Sequence, residues 1–243
     1  MKTTDIRGQE TLSDHVRADA LSRLSVPSEP SFSCNHCPRL RDFIDEQKTN
    51  HPGWWNGPVP TWHDMGAGDE AVELLIVGLA PGLTGANRTS RAFTGDSAGD
   101  LLYATLQKHG FATGQYGSGP DDGLKLVGTA ITNAVRCVPP QNKPVGAEIN
   151  ACRDYLIDSI ARFSNLKVLL TLGAIGHQST IRALGHPVKD APFGHNFLFA
   201  QPFGPAVLSS YHCSRYNTNT GVLTEDMFSA VFARARLLID AKR

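Results

Sequence analysis

Residues 72 to 82 read Val72-Glu73-Leu74-Leu75-Ile76-Val77-Gly78-Leu79-Ala80-Pro81-Gly82. Val72 to Val77 is a short, mostly apolar run, the pattern of a strand covered on both faces, and it stops at Gly78 in a turn of two glycines around a proline. From Ser97 to His109 apolar residues recur at helical spacing (Leu101, Leu102, Leu106) and the run is closed by Gly110. The same alternation continues downstream. Leu126 to Val135 reads as a second buried strand, Ala147 to Phe163 as a helix, and Val168 to Leu172 as a third strand. Ile175 to Leu184 then reads as a helix, Ala206 to Tyr211 as a fourth strand and Asp226 to Ala241 as a final amphipathic helix. Strands alternating with helices predict an α/β fold, three-layer α/β/α with a mainly parallel central sheet, whose chemistry lies beyond the carboxyl ends of the strands.

Upstream the pattern is less regular. Residues 1 to 31 are polar with weak helical periodicity and read as an appendage, leaving 32 to 243 as a single domain. Cys34 to Gly68 is rich in Pro, Gly and Trp without a clean period, and is expected to be irregular. With 243 residues, 41% hydrophobic, 19% charged and 23 glycines, the composition excludes disordered and collagen-like chains. Lys plus Arg equals Asp plus Glu at 23 each, so no global basic footprint exists and any nucleic-acid contact has to be local. No apolar run reaches the roughly 18 to 20 residues of a membrane span, and Met1 to Pro30 lacks a signal-peptide pattern, so the expectation is a cytoplasmic protein without membrane contact.

The strand ends carry the chemistry-bearing residues. The turn Gly78 to Gly82 lets backbone approach a ligand, and Asn87-Arg88-Thr89 and Phe93-Thr94-Gly95-Asp96-Ser97 follow it. Asp96 or Ser97 is placed to cap the next helix. The second strand ends at Thr132-Asn133, and an asparagine there either reads the edge of a base or satisfies backbone. The fourth ends at Tyr211-His212-Cys213-Ser214-Arg215, with Asn217-Thr218-Asn219-Thr220-Gly221 beyond it, small polar residues suited to phosphate. Five cysteines in a reducing compartment read as ligands or core filler rather than disulfides. Cys34 and Cys37 form a C-x2-C pair and Cys137 and Cys152 a C-x14-C pair. Four soft thiolates hold either a tetrahedral zinc or an iron-sulfur cluster, and spacing alone leaves both open. Cys213 is left over and reads as packing.

Together these motifs resemble the uracil-DNA glycosylase superfamily and, within it, the cluster-bearing family five, or type B. The resemblance rests on Cys34-x-x-Cys37-Pro38-Arg39-Leu40, Gly78-Leu79-Ala80-Pro81-Gly82, Asn87-Arg88-Thr89, Phe93-Thr94-Gly95-Asp96, Thr132-Asn133-Ala134-Val135-x-Cys137-x-Pro139-Pro140, Cys152, and His212-x-Ser214-Arg215-x-Asn217-Thr218-x-Thr220-Gly221. It implies a uracil-DNA glycosylase-like fold, a 4Fe-4S cluster on Cys34, Cys37, Cys137 and Cys152, and removal of uracil from DNA. Leu79 stands where the related family four carries a glutamate, and family five resembles this chain in that lack. Its members accept other deaminated bases such as hypoxanthine, so DNA carrying any of these is the expected partner.

Breaking an N-glycosidic bond leaves positive charge on the sugar and negative charge on the departing base, which first has to leave the stack. On this reading Phe93 stacks on the flipped base, Asn133 reads its edge, and His212, neutral, donates to the carbonyl oxygen that gains charge. Asp96 orients water or stabilises the sugar cation. Gly78, Ala80, Pro81 and Gly82 line the pocket; Asn87, Arg88, Ser214, Arg215 and Asn217 meet the DNA. Arg88, Arg91, Arg136 and Lys143 are the candidates for a local basic patch. A monomer is the expected state. The competing reading is a non-catalytic iron-sulfur or zinc protein that binds nucleic acid. A nucleotide-binding enzyme is disfavoured, because no Lys-Ser/Thr pair follows Gly82.

Overall fold

A computed structural model describes residues 29–241. The sheet has six strands: β1 (Trp62–His63), β2 (Leu74–Gly78), β5 (Thr129–Asn133), β6 (Val168–Leu172), β7 (Phe197–Phe199) and β8 (Ala206–Ser210), in the order β1-β5-β2-β6-β8-β7. The four inner strands are parallel and the two edge strands antiparallel. Every residue of β2, β5, β6 and β8 is buried. Leu74 and Ile76 point to one face and Leu75 and Val77 to the other, so a continuous apolar run feeds two cores at once.

On the first face pack α3 (Ser97–Lys108) and α8 (Glu225–Asp240), through Leu102 and Leu106 and through Phe228, Val231 and Phe232. On the second pack α5 (Arg153–Arg162) and α6 (Ala174–Ala183), through Leu156 and Ile181. The result is the expected three-layer α/β/α arrangement. Thr224 accepts from the Met227 N–H at the head of α8, ahead of Glu225 and Asp226, which favour the positive end of the helix. Register aligns the strand ends. Gly78 is paired with Asn133 and Leu172 with Ser210, so the segments that leave β2, β5, β6 and β8 emerge along one edge.

Three expectations change. The stretch read as irregular contains a 13-residue helix, α1 (Pro38–Asn50), started by a proline at its first turn and burying Leu40 and Ile44. The helix read over Ala147 to Phe163 is two, α4 (Gly146–Ala151) and α5, meeting at Cys152. The strand read from Leu126 is shorter: Lys125–Leu126 (β4) instead pairs with Ala112–Thr113 (β3) in a separate hairpin. The short helices α2 (Ala86–Thr89) and α7 (Arg215–Asn219) complete the elements. The appendage expected over residues 1 to 31 lies mostly outside the described residues, and its described end is docked, with the Glu29 carboxylate 2.9 Å from Arg136. Among the described residues no helix is long and apolar enough to cross a membrane.

Candidate active site and cysteine cavity

The turn after β2 is tied to the end of β5, since the Ala134 and Val135 N–H groups donate to the carbonyls of Gly78 and Leu79 at 3.0 Å. Gly78 is there for space. A β-carbon on it would collide with Asn133 Oδ1 and stand 2.8 Å from Phe93 Cζ. Its absence lets those two side chains close one wall of a cleft of about 570 Å³, lined also by Leu79, Ala80, Pro81, Gly82, Asp96, Asn142, His212, Ser214 and Arg215. The motifs read from three strand ends therefore converge in one place.

Within the cleft Phe93 and His212 stack, ring centroids 6.0 Å apart and planes 29° from parallel. Phe93 takes a left-handed backbone, φ 56°. Asn133 is 3% exposed, yet its side-chain amide forms no hydrogen bond with another described residue. The His212 imidazole likewise has no hydrogen-bonding partner among the described residues. Burial pushes its pKa below the ordinary histidine value and the Asp96 charge opposes that, so the ring is neutral at pH 7. Asp96 has two tasks. Its Oδ1 accepts from the Gly99 N–H at 3.0 Å and caps α3, while Oδ2 faces Gly82 and Gly85. Of the two capping candidates it is Asp96, not Ser97, that caps.

Other candidates are placed differently. Asn87 does not face DNA: it is fully buried and its Nδ2 donates to Asn56 Oδ1 at 2.9 Å, tying the segment after α1 to the pocket turn. Ser214 caps α7, and Asn217 Nδ2 donates to the His212 carbonyl at 2.8 Å, so both shape the histidine loop. Arg88, Arg215 and Lys143 are exposed. Arg91 and Arg136 leave the expected basic patch, because both are sealed in the interior, Arg91 on Asp122 and Arg136 on Glu29 and Ser159. Cys213 is buried against the Ala98 carbonyl, as packing. The sequence reading did not single out Asn142, an exposed cleft residue that is left-handed after an equally left-handed Gln141, nor the smaller Thr84, Ala86 and Ala98. The signal for Asn142 was the turn-forming run Pro139-Pro140-Gln141-Asn142.

Cys34, Cys37, Cys137 and Cys152 line a second, narrower cavity with Leu40, Ile44 and Tyr155. The Arg136 N–H points at Cys152 Sγ at 3.3 Å and the Tyr155 hydroxyl lies 3.9 Å from Cys34 Sγ. Around them charges are paired: Arg39 donates to both Glu148 oxygens at 2.8 and 2.9 Å and to the Lys143 carbonyl at 3.1 Å. Burial, then neighbouring thiols, push Cys37 up to about 11 and raise Cys137. Thiolates here therefore need positive charge among them. Among the described residues no three His, Cys, Asp or Glu side chains are drawn tightly enough together to hold a single metal ion.

Residues 65–236 match the family model described as the uracil DNA glycosylase superfamily. The chain is 38% identical over 211 residues to a type-5 uracil-DNA glycosylase of Thermus thermophilus, covering 85% of this chain and 94% of that protein. It is 36% identical over 214 residues to one of Mycobacterium bovis, covering 84% and 78%. With one of Pyrobaculum aerophilum it shares 33% over 207 residues, covering 84% and 88%.

Proposed function

The chain belongs to the uracil-DNA glycosylase superfamily, and we propose that it is a type-5 uracil-DNA glycosylase, hydrolysing the N-glycosidic bond of a uracil flipped out of DNA and leaving an abasic site. The observation that carries this is the pair of unpartnered polar side chains, Asn133 and His212, facing the same cleft as the Phe93 ring. A flipped base brings what they lack. Its imide edge offers a donor and acceptors for the Asn133 amide, and its face stacks on Phe93. As the bond breaks, a base carbonyl oxygen gains negative charge, and a neutral His212 N–H donates to it without first having to lose or gain a proton. Asp96 Oδ2 stands at the turn where water approaches the sugar, and its charge stabilises the developing cation.

Leu79 lines the cleft and brings neither charge nor a base. Recognition then rests on stacking and on one amide, which supports acceptance of hypoxanthine as well as uracil, and the cleft volume leaves room for a bicyclic base. Exposed Arg88, Arg215 and Lys143 are the residues for phosphate contact.

Four cysteines lining one cavity are the soft donor set a 4Fe-4S cluster takes, and Cys34, Cys37, Cys137 and Cys152 would hold it. Such a cluster supplies a cross-link between the segment before α1 and the loop after β5. The test is single-turnover cleavage of labelled duplexes carrying one uracil, one hypoxanthine or no lesion, with the visible absorption of the purified protein recorded. Base release from the two lesion duplexes by a brown protein is expected. Intact strands with all three, despite a full cluster and retained DNA binding, would leave a non-catalytic iron-sulfur protein that binds nucleic acid.

A further inference from the structure

Phe93 serves as a stacking wall only in a backbone conformation that a side chain resists. Ser90, Phe93 and Gly95 have φ of 66°, 56° and 76°, three left-handed positions within six residues. What holds them lies about thirty residues downstream. The Arg91 side chain is 3% exposed, and its Nη1 and Nη2 donate to the two Asp122 carboxylate oxygens at 2.8 and 2.6 Å. The guanidinium lies over the rings of Trp62, Tyr103 and Tyr116, at 4.8, 5.5 and 5.7 Å from their centroids. Asp122 also accepts from the N–H groups of Gly117 and Leu124 at 2.8 and 3.0 Å, which fixes the loop that carries it.

Both tyrosines then reach the backbone of the strained segment. Tyr103 donates to the Ala92 carbonyl, and the Tyr116 hydroxyl lies 3.5 Å from the Phe93 carbonyl. Gly99 makes room for that carbonyl, because a β-carbon there would overlap it. Arg91, Tyr103, Tyr116 and Asp122 all stay outside the cleft lining.

We propose that the Arg91–Asp122 ion pair and Tyr116 form a positioning clamp for Phe93, through which the loop between β3 and β4 sets the depth and rigidity of the base-stacking wall. The inference rests on the reading of Phe93 as that wall. A buried arginine need not be tied to a distant glycine-rich loop to be stable; the tie makes physical sense as a brace on a ring that has to stay facing His212 when no base is present.

The test is a double-mutant cycle on the full chain, with Tyr116→Phe, Asp122→Asn and Phe93→Ala alone and in pairs, read by single-turnover cleavage of a uracil duplex. In parallel, 4-fluorophenylalanine placed at position 93 reports the ring environment by fluorine NMR. The expected result is a loss of about 5-fold for Tyr116→Phe and about 30-fold for Asp122→Asn, with both losses vanishing in the Phe93→Ala background. The fluorine line shifts or splits in both clamp variants. Equal losses in either background, or an unmoved single fluorine line, overturn the clamp. Tyr116→Phe removes one oxygen, so the cycle stands even if Asp122→Asn fails to fold. A wild-type protein that cleaves no duplex sinks the glycosylase reading, and the fluorine line alone then decides the clamp.

Discussion

The cleft and the cysteine cavity share a segment, since residues 137 to 152 begin and end on the cavity and touch the cleft at Asn142, and the two sites leave different groups unpaired. In the cleft, Asn133 and His212 keep their hydrogen-bonding atoms unpaired. Around the cysteines the charges are paired, Arg39 with Glu148 and Arg136 with Glu29 and Ser159, and four thiols line the space between them. Asn133 is 3% exposed and burial lowers the His212 pKa, so leaving them unpaired costs the fold something that the polar edge of a ligand would relieve. The cysteine cavity is narrower, with Cys152 buried and Cys34, Cys37 and Cys137 half-buried, and thiolates there need positive charge among them. The difference marks the first as a place for something that comes and goes and the second as a place for something that stays.

The largest effect that tests this contrast belongs to the cavity. Cys137→Ser is expected to abolish the visible absorption of the purified protein and to lower Tm by more than about 10 °C, the order expected when a group that contributes folding energy is lost. A variant that melts with the wild type would break the comparison by making the cavity as dispensable to the fold as the cleft. In the cleft the split runs the other way. His212→Ala and Asn133→Ala are each expected to slow single-turnover cleavage by about 10²- to 10³-fold, the usual cost of removing one donor to developing charge, with Tm within about 2 °C of wild type. A large drop in Tm for either would show that its polar atoms serve the fold.

How far this was legible in sequence depends on whether a residue announces its own environment. Val168–Leu172 did, because four apolar residues around one β-branched threonine have one common fate in an α/β chain. Gly78, Phe93, Asp96, Asn133 and His212 did, because each follows a readable strand or precedes a readable helix. The edge strands Trp62–His63 and Phe197–Phe199 did not, since two or three residues become a strand only through a neighbour. The helix Pro38–Asn50 was hidden by its polar composition, with two apolar residues buried among charges. Arg91, Arg136 and Asn87 misled for one reason: a polar residue is read as exposed until its partner is known, and the partners Asp122, Glu29 and Asn56 are 31, 107 and 31 positions away.

Asp96 sharpens the comparison, since it belongs to both worlds, capping α3 with one oxygen and facing the cleft with the other. Asparagine caps as well as aspartate, so Asp96→Asn is expected to keep Tm while slowing cleavage by roughly 10²-fold. Asp96→Ala loses the cap too, costing about 1 kcal/mol or 2 to 4 °C in Tm. Equal Tm values for the two variants would mean that the cap carries no weight.

The smallest effect concerns charge at His212. Burial lowers its pKa and Asp96 raises it, with burial the larger influence. The folded protein therefore binds a proton at His212 less readily than the unfolded chain does. The stability this group contributes is full above about 6.5, the unfolded value, and is lost as pH falls toward the folded value. Removing the Asp96 charge takes away the one influence that favours the imidazolium. Residue-resolved NMR of the His212 ring through a pH series is expected to show titration below the ordinary histidine value in the wild type and lower still in Asp96→Asn. A ring that titrates at or above the ordinary value would be cationic in the cleft at neutral pH. The neutral donor would then be replaced by a charged one, and the departing base would meet an imidazolium beside Asp96.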